Sequence, residues 1–291
     1  MREYLIEFFD SFEYEMSDAD YLLSVYDRIQ EREDTRAVWR EALNIYNDDM
    51  NCDFDLIIAL AQDVAQRLDI HRYTTELLVF ICLSKRLREI YTEREIDLSI
   101  FHGSMLDLKY KLDECKVVKG VVGSFVAFWF NRFFNMERFA LGRLEFEVDR
   151  FGQHYEREGH ILTPDSKVIN IHIPRTLTHL TPESCDEAFR MAREFFSDEI
   201  TGECAFICHS WMLYPGNRYI LPESTNVYKF MSRFDVFNSS DDPALEDLWR
   251  IFDTDEKNPD LLPQNTSMRR AYVGHLKNGG VIGWGHGVFF M

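Results

Sequence analysis

All eight prolines of this 291-residue chain fall at or after Pro164. Proline fixes φ and removes a backbone donor, so it interrupts helices. A stretch of 163 residues without one can form long helices joined by short connections, whereas the remainder must break into shorter elements. The apolar spacing of the first stretch agrees. Leu56, Leu60, Val64 and Leu68 recur every four residues, with Ile57 and Ala61 widening the stripe. Leu77, Ile81, Lys85 and Arg88 share a face that turns polar towards its end, where cations suit the helix dipole. Ser17-Asp18-Ala19-Asp20 supplies a helix start before Tyr21. The longest apolar run, residues 120–130, is too short to cross a bilayer and is expected to be a core helix.

The period changes near Met136. Leu144, Phe146 and Val148 alternate with Glu145, Glu147 and Asp149, which predicts a strand with one face exposed. The chain therefore divides into a helical part, residues 1–135, and a mixed part, residues 136–291. Residues 158–165 read as a turn-rich connection. They lead into a strand over 168–173, a helix from Thr181-Pro182-Glu183 to about Phe196, and a strand over 205–209. The Thr cap, the Pro at the first position and the early acidic residues mark the helix start. Two strands joined by one helix predict a right-handed parallel crossover, with a crevice at the strand ends where open sheets hold ligands. A helix over 266–276 and a last strand over 281–290 close the chain. In that strand Gly283, Gly285 and Gly287 share one bare face, open to close approach by another backbone or a ligand.

A net charge of −18 argues against general nucleic-acid binding. No secretory signal precedes the six scattered cysteines, so reduced thiols and a cytoplasmic protein, with no membrane partner, are expected. No Walker loop, nucleophile elbow or metal-ligand spacing is present. Cys208 and His209 are adjacent in a strand, so they face opposite ways and do not form a thiol–imidazole pair.

The crevice holds the candidates for chemistry. His172 and His209 end the two strands, and histidine transfers protons near neutrality. Glu147 can act as a base if burial raises its pKa, or can be a solvent-facing edge residue. Tyr214, Tyr219 and Tyr228 are candidate proton donors or packing residues. Arg175 and the helix N-terminus at Thr181 offer a weak anion site.

Several motifs carry a family resemblance. They are Arg143-Leu144-Glu145-Phe146-Glu147, Asn170-Ile171-His172-Ile173-Pro174, Leu180-Thr181-Pro182-Glu183 and Cys208-His209-Ser210-Trp211, followed by Leu221-Pro222 with Ser224 and Asn226, and a helix ending in Gly279-Gly280. In these the chain resembles a two-domain bacterial group of acyltransferase domain-containing proteins, with a helical N-terminal domain and a GNAT-like C-terminal domain. The resemblance implies an α+β fold and acyl transfer from acetyl-CoA or another acyl-CoA to an amine. Pantetheine would enter between the two parallel strands, beside Ile173 and Ser210, and pyrophosphate would rest on the loop of Arg175 and Thr181. Glu147 or His172 would be the base, His209 or a nearby tyrosine the acid, and the helical domain would cap the site and select the acceptor. Arg175 matches the family's loop, but Thr178 and Leu180 stand where glycines are usual. Two other readings remain: a catalytically inactive module of the same shape that binds a small ligand, and a partner protein that forms a homodimer through its helical domain.

Overall fold

The computed structural model describes every residue except Leu177, which belongs to the candidate phosphate loop and so lies outside the described residues. The chain forms two compact units, Met1–Phe139 and Ala140–Met291. No helix among the described residues is long and apolar enough to cross a membrane.

The first unit contains α1 (Arg2–Ser11), α2 (Met16–Glu31), α3 (Glu33–Asp48), α4 (Phe54–Leu68), α5 (Arg72–Glu93), α6 (Leu98–Lys119) and the short α7 (Asn131–Phe134). Every residue of α5 from Thr74 to Ser84 is buried, so α5 is the central helix and the others wrap it. The α4 stripe turns inward through Ile57, Ala61, Val64 and Leu68, while Leu56 faces solvent. The α2 start differs from expectation. The helix begins at Met16 with no side-chain cap, and Asp18 is buried in its first turn, 2.6 Å from Lys116 Nζ. Residues 120–130 are not the expected core helix. Gly120 ends α6 in the left-handed region at φ 68°, and Gly123 lies against the backbone of Tyr73, where a Cβ would come within 2.4 Å. That contact needs a turn, so only Ala127–Phe130 coils, as a 3-10 helix.

The second unit is built on a sheet of β1 (Arg138–Leu141), β2 (Leu144–Arg150), β5 (Lys167–His172), β6 (Ala205–Ser210), β7 (Asp235–Asp242) and β8 (Ile282–Phe290). Their order is β1-β2-β5-β6-β8-β7. A separate hairpin, β3 (Tyr155–Arg157) and β4 (His160–Leu162), occupies much of the segment expected as a connection. Helices α8 (Pro182–Phe195), α9 (Asn217–Ile220), α10 (Asn226–Met231), α11 (Trp249–Phe252) and α12 (Ser267–Lys277) complete the unit. The protein is thus α+β, as expected.

The crossover forms as its residues dictate. Thr181 caps α8 by accepting from Ser184 N–H, and Ser184 Oγ accepts in return from Thr181 N–H. Cys185, Ala188, Phe189 and Ala192 bury the inner face of α8. Phe189 meets Phe146, Phe206 and Phe289 on one side of the sheet, at ring separations of 6.2, 5.3 and 4.9 Å. Each fully buried Phe contributes roughly 2 kcal/mol, which is enough to hold the helix in place. The opposite side packs Val168, Ala205, Ile207 and Val288 with Phe151 and Leu162.

The bare face of β8 is filled by the chain itself. A Cβ on Gly285 would lie 2.2 Å from Leu213 O, and one on Gly283 would lie 2.3 Å from Ser240 O. A 3-10 turn, Trp211–Leu213, therefore seats directly on the strand. Gly285→Ala is expected to lower stability by roughly 1–3 kcal/mol through overpacking. Gly274→Ala, in open space on α12, should instead stabilise by about 0.5–1 kcal/mol. Urea melts of the two variants test the contrast.

Candidate active site

Side chains on a strand alternate between faces, so register decides which residues meet. Glu145 opposes His172 and Glu147 opposes Asn170 across the antiparallel β2–β5 pair. Asn170 opposes Ile207 across the parallel β5–β6 pair, and His209 opposes His286 across β6–β8. Glu147, Asn170, His172, His209 and His286 therefore share the face that α8 does not cover.

Glu147 departs from the open-face reading of its strand. It is 3% exposed and Glu145 is 2% exposed. A Glu147 oxygen lies 2.9 Å from His172 Nε2 and accepts from Asn170 Nδ2 at 3.2 Å. In the neutral imidazole the carboxylate holds the hydrogen on Nε2 and leaves the lone pair on Nδ1. Such an arrangement can serve chemically as an oriented base, the carboxylate acting through the ring.

The parallel ladder ends at Ile171 opposite Cys208, although β5 continues to His172 and β6 to Ser210. The strands are no longer paired where the two histidines stand. Ile173 follows β5 half-buried. Ser210 Oγ accepts from Met212 N–H at 3.1 Å and so caps the 3-10 turn.

His209 is exposed on the residue scale, yet partial burial of its ring lowers its pKa, with Asp247 opposing that shift and Arg250 adding to it. His286 is pushed down to about 4, chiefly by burial and then by His209. Both shifts disfavour the imidazolium, the form that the donor role expected of His209 requires. Of the three tyrosines, one is engaged by a carboxylate. Tyr214 donates to Asp241 at 2.6 Å and its hydroxyl is pushed up to about 12, first by burial and then by that carboxylate. Tyr219 is 93% exposed, and Tyr228 is half-buried on α10. Burial pushes the Cys208 thiol far up, which removes it as a nucleophile.

Arg175 is already engaged. Its Nη1 lies 2.9 Å from Asp253 Oδ1, and its Nη2 donates to Asp253 Oδ2 at 3.2 Å. Arg269 donates to the same carboxylate at 2.5 Å, giving two guanidiniums around one acid. The capping box meanwhile occupies the Thr181 and Ser184 amides. Arg143 holds the loop from beneath, donating to Pro174 O at 3.0 Å and to Thr178 O at 3.1 Å. Asp253 and His286 were missed as site residues. Nothing local marks Asp253, whereas the shared face of Trp284 and His286 was visible in the glycine alternation of β8.

Two family models match the chain. The GNAT-like C-terminal domain covers residues 139–289, and the N-acyltransferase N-terminal domain covers residues 3–136. The chain belongs to the GNAT-like C-terminal domain family. Its sheet order with one parallel pair that parts at the strand ends is the GNAT-like core here. Three solved structures share the GNAT-like fold. One is an acyltransferase in complex with decanoyl-CoA and teicoplanin, 18% identical, covering 98% of this chain and 86% of its own, with a TM-score of 0.74. A second, with CoA and 10C-teicoplanin, is 18% identical, covers 97% and 86%, and has a TM-score of 0.73. A third, an acyltransferase mutant with octanoyl-CoA, is 19% identical, covers 99% and 87%, and has a TM-score of 0.75. No curated protein matches.

Folding holds both crevice imidazoles below their ordinary pKa, so the unfolded chain binds more protons than the folded one, and for His286 the window runs from about 4 to 6.5. Their contribution to stability is complete above that window and is lost as pH falls through it. In an NMR titration the His286 ring should show a midpoint near 4, and His209→Gln should raise that midpoint. A midpoint at the ordinary 6.5 would mean that the ring is solvated.

Proposed function

We propose that the chain is an acyl-CoA-dependent N-acyltransferase, with Glu147 and His172 as its base. The buried Glu147–His172 contact at 2.9 Å carries this reading. It lies on the face of the sheet that α8 does not cover, near the end of the strand pair that parts. The family membership and the acyl-CoA held by proteins of the same fold support acyl-CoA as the donor. The thioester would lie between the ends of β5 and β6, beside Ile173 and Ser210.

Attack by a neutral amine on the thioester carbonyl forms the C–N bond and places charge on oxygen. Backbone N–H groups at the parted strands are suited to stabilise that oxyanion. His172 Nδ1 takes the amine proton, and the imidazolium is stabilised by Glu147. Collapse breaks the C–S bond, and the same proton passes to the departing thiolate. One histidine serves both steps, which removes the need for His209 as an imidazolium donor. A cytoplasmic setting fits the six unbridged cysteines, five of them buried.

The ion pair of Arg175 with Asp253 and the closed cap at Thr181 favour a second reading, a binding module of the same shape without turnover. Calorimetry with acetyl-CoA and octanoyl-CoA separates the two. Binding, followed by acyl transfer that Glu147→Gln slows by roughly 10²–10⁴-fold in kcat, supports the enzyme. The KM for acyl-CoA should change little, because Glu147 touches the base and not the donor. Failure of any acyl-CoA to bind at millimolar concentration would sink it.

A further inference from the structure

Four rings run across the open face of the sheet beyond the base. Phe237 on β7 meets His286 at 4.5 Å, His286 meets His209 at 5.9 Å, and His209 meets Trp284 at 4.3 Å. All three contacts are tilted or edge-on, so the row offers alternating faces and edges. Such edges and faces pair well with a further aromatic ring. Phe237 anchors the inner end among Phe151 and Tyr155, at 5.4 and 6.0 Å. Towards the other end His209 is exposed and the last ring, Trp284, is half-buried.

Resting on the acyl-transfer reading, we propose that this row is the floor for the acceptor, and that the accepted amine hangs from an aromatic ring with a hydrogen-bonding substituent. The imidazole nitrogens decide between occupants. Among the described residues neither His209 nor His286 makes a side-chain hydrogen bond. An alkyl chain laid on the row would strip their water without replacing it, at a cost of roughly 1–3 kcal/mol for each buried group left unpaired. A ring that carries a hydroxyl covers the row and also answers one of those nitrogens.

Charge points the same way. The acid and base nearest His209, Asp247 and Arg250, are paired with one another at 2.7 Å. On the β5 side the charged neighbours of the face are the Glu147–His172 pair and the buried Glu145 opposite His172, and the covering hairpin brings Arg157 and His160, which bind Asp235 and Glu203. No unpaired cation among these draws an anion to the row. The placement also suits the reaction. Strands lie about 5 Å apart, so a ring on β6 and β8 can direct a short aminoalkyl arm to the base on β5.

The test compares three amines of equal charge, namely tyramine, phenethylamine and hexylamine, in transfer from octanoyl-CoA. Expected is a fall in kcat/KM in that order. Trp284→Ala should raise the tyramine KM about tenfold, the scale of one lost aromatic contact with its buried area, with a much smaller change in kcat. A preference for hexylamine over tyramine would overturn the proposal. So would a Trp284→Ala effect that follows acyl length rather than the amine. Binding is read separately, by NMR shifts of the His209 and His286 ring protons, assigned with His209→Gln and His286→Gln variants, as tyramine is added without acyl-CoA. Shifts that saturate and vanish in folded Trp284→Ala, without turnover, would keep the floor and discard the transferase. Absence of shifts discards the floor even if some amine is acylated.

Discussion

Everything at the site depends on the four phenylalanines that lock α8 to the sheet. Phe146, Phe189, Phe206 and Phe289 close one side of β2, β5, β6 and β8, with Phe206 and Phe289 stacked at 5.0 Å and 6°. Strand residues alternate, so filling one face with rings commits every intervening side chain to the other. Glu147, Asn170, His172, His209 and His286 are gathered by that commitment. A slip of one residue in β2 would place Glu145 and Glu147 under α8 and Phe146 in the crevice, and a slip in β6 would exchange Phe206 for His209.

The same geometry explains how a carboxylate comes to be 97% buried without disrupting the unit. Burying a charge is costly unless hydrogen bonds replace water, and Glu147 has Asn170 and His172 for that purpose. Structure and chemistry coincide here, because the bonds that make the burial tolerable also orient the imidazole. The Arg175–Asp253–Arg269 cluster follows the same logic. One shared carboxylate leaves a single net positive charge at the root of the loop. That loop is pinned by Arg143 through two backbone carbonyls.

Local signals carried most of the architecture. The missing prolines marked the helical part, and the Thr181-Pro182 start with its apolar spacing placed α8 within a residue of its observed ends. The α5 stripe was visible too, although burial on all sides of Thr74–Ser84 depends on which helices surround it. Residues 120–130 misled because apolar content was read as helix. Gly123 has to meet the Tyr73 backbone, and that contact is invisible to any local pattern. The glycine face of β8 was read correctly as a site of close approach, but its occupant, the turn at Leu213, arises from the fold.

The amino-acid sequence by itself determined the α+β class, the crossover, the family resemblance and which histidines stand near the ends of the two strands. These follow from periodicity, caps and turn residues, which act over a few neighbours. Tertiary structure alone decided that Glu147 is buried against His172, that Arg175 is spoken for by Asp253, and that His286 joins His209 in a row of rings. Those outcomes join residues 25, 78 and 77 positions apart, and pKa and pairing are set by what lies across the sheet rather than along the chain.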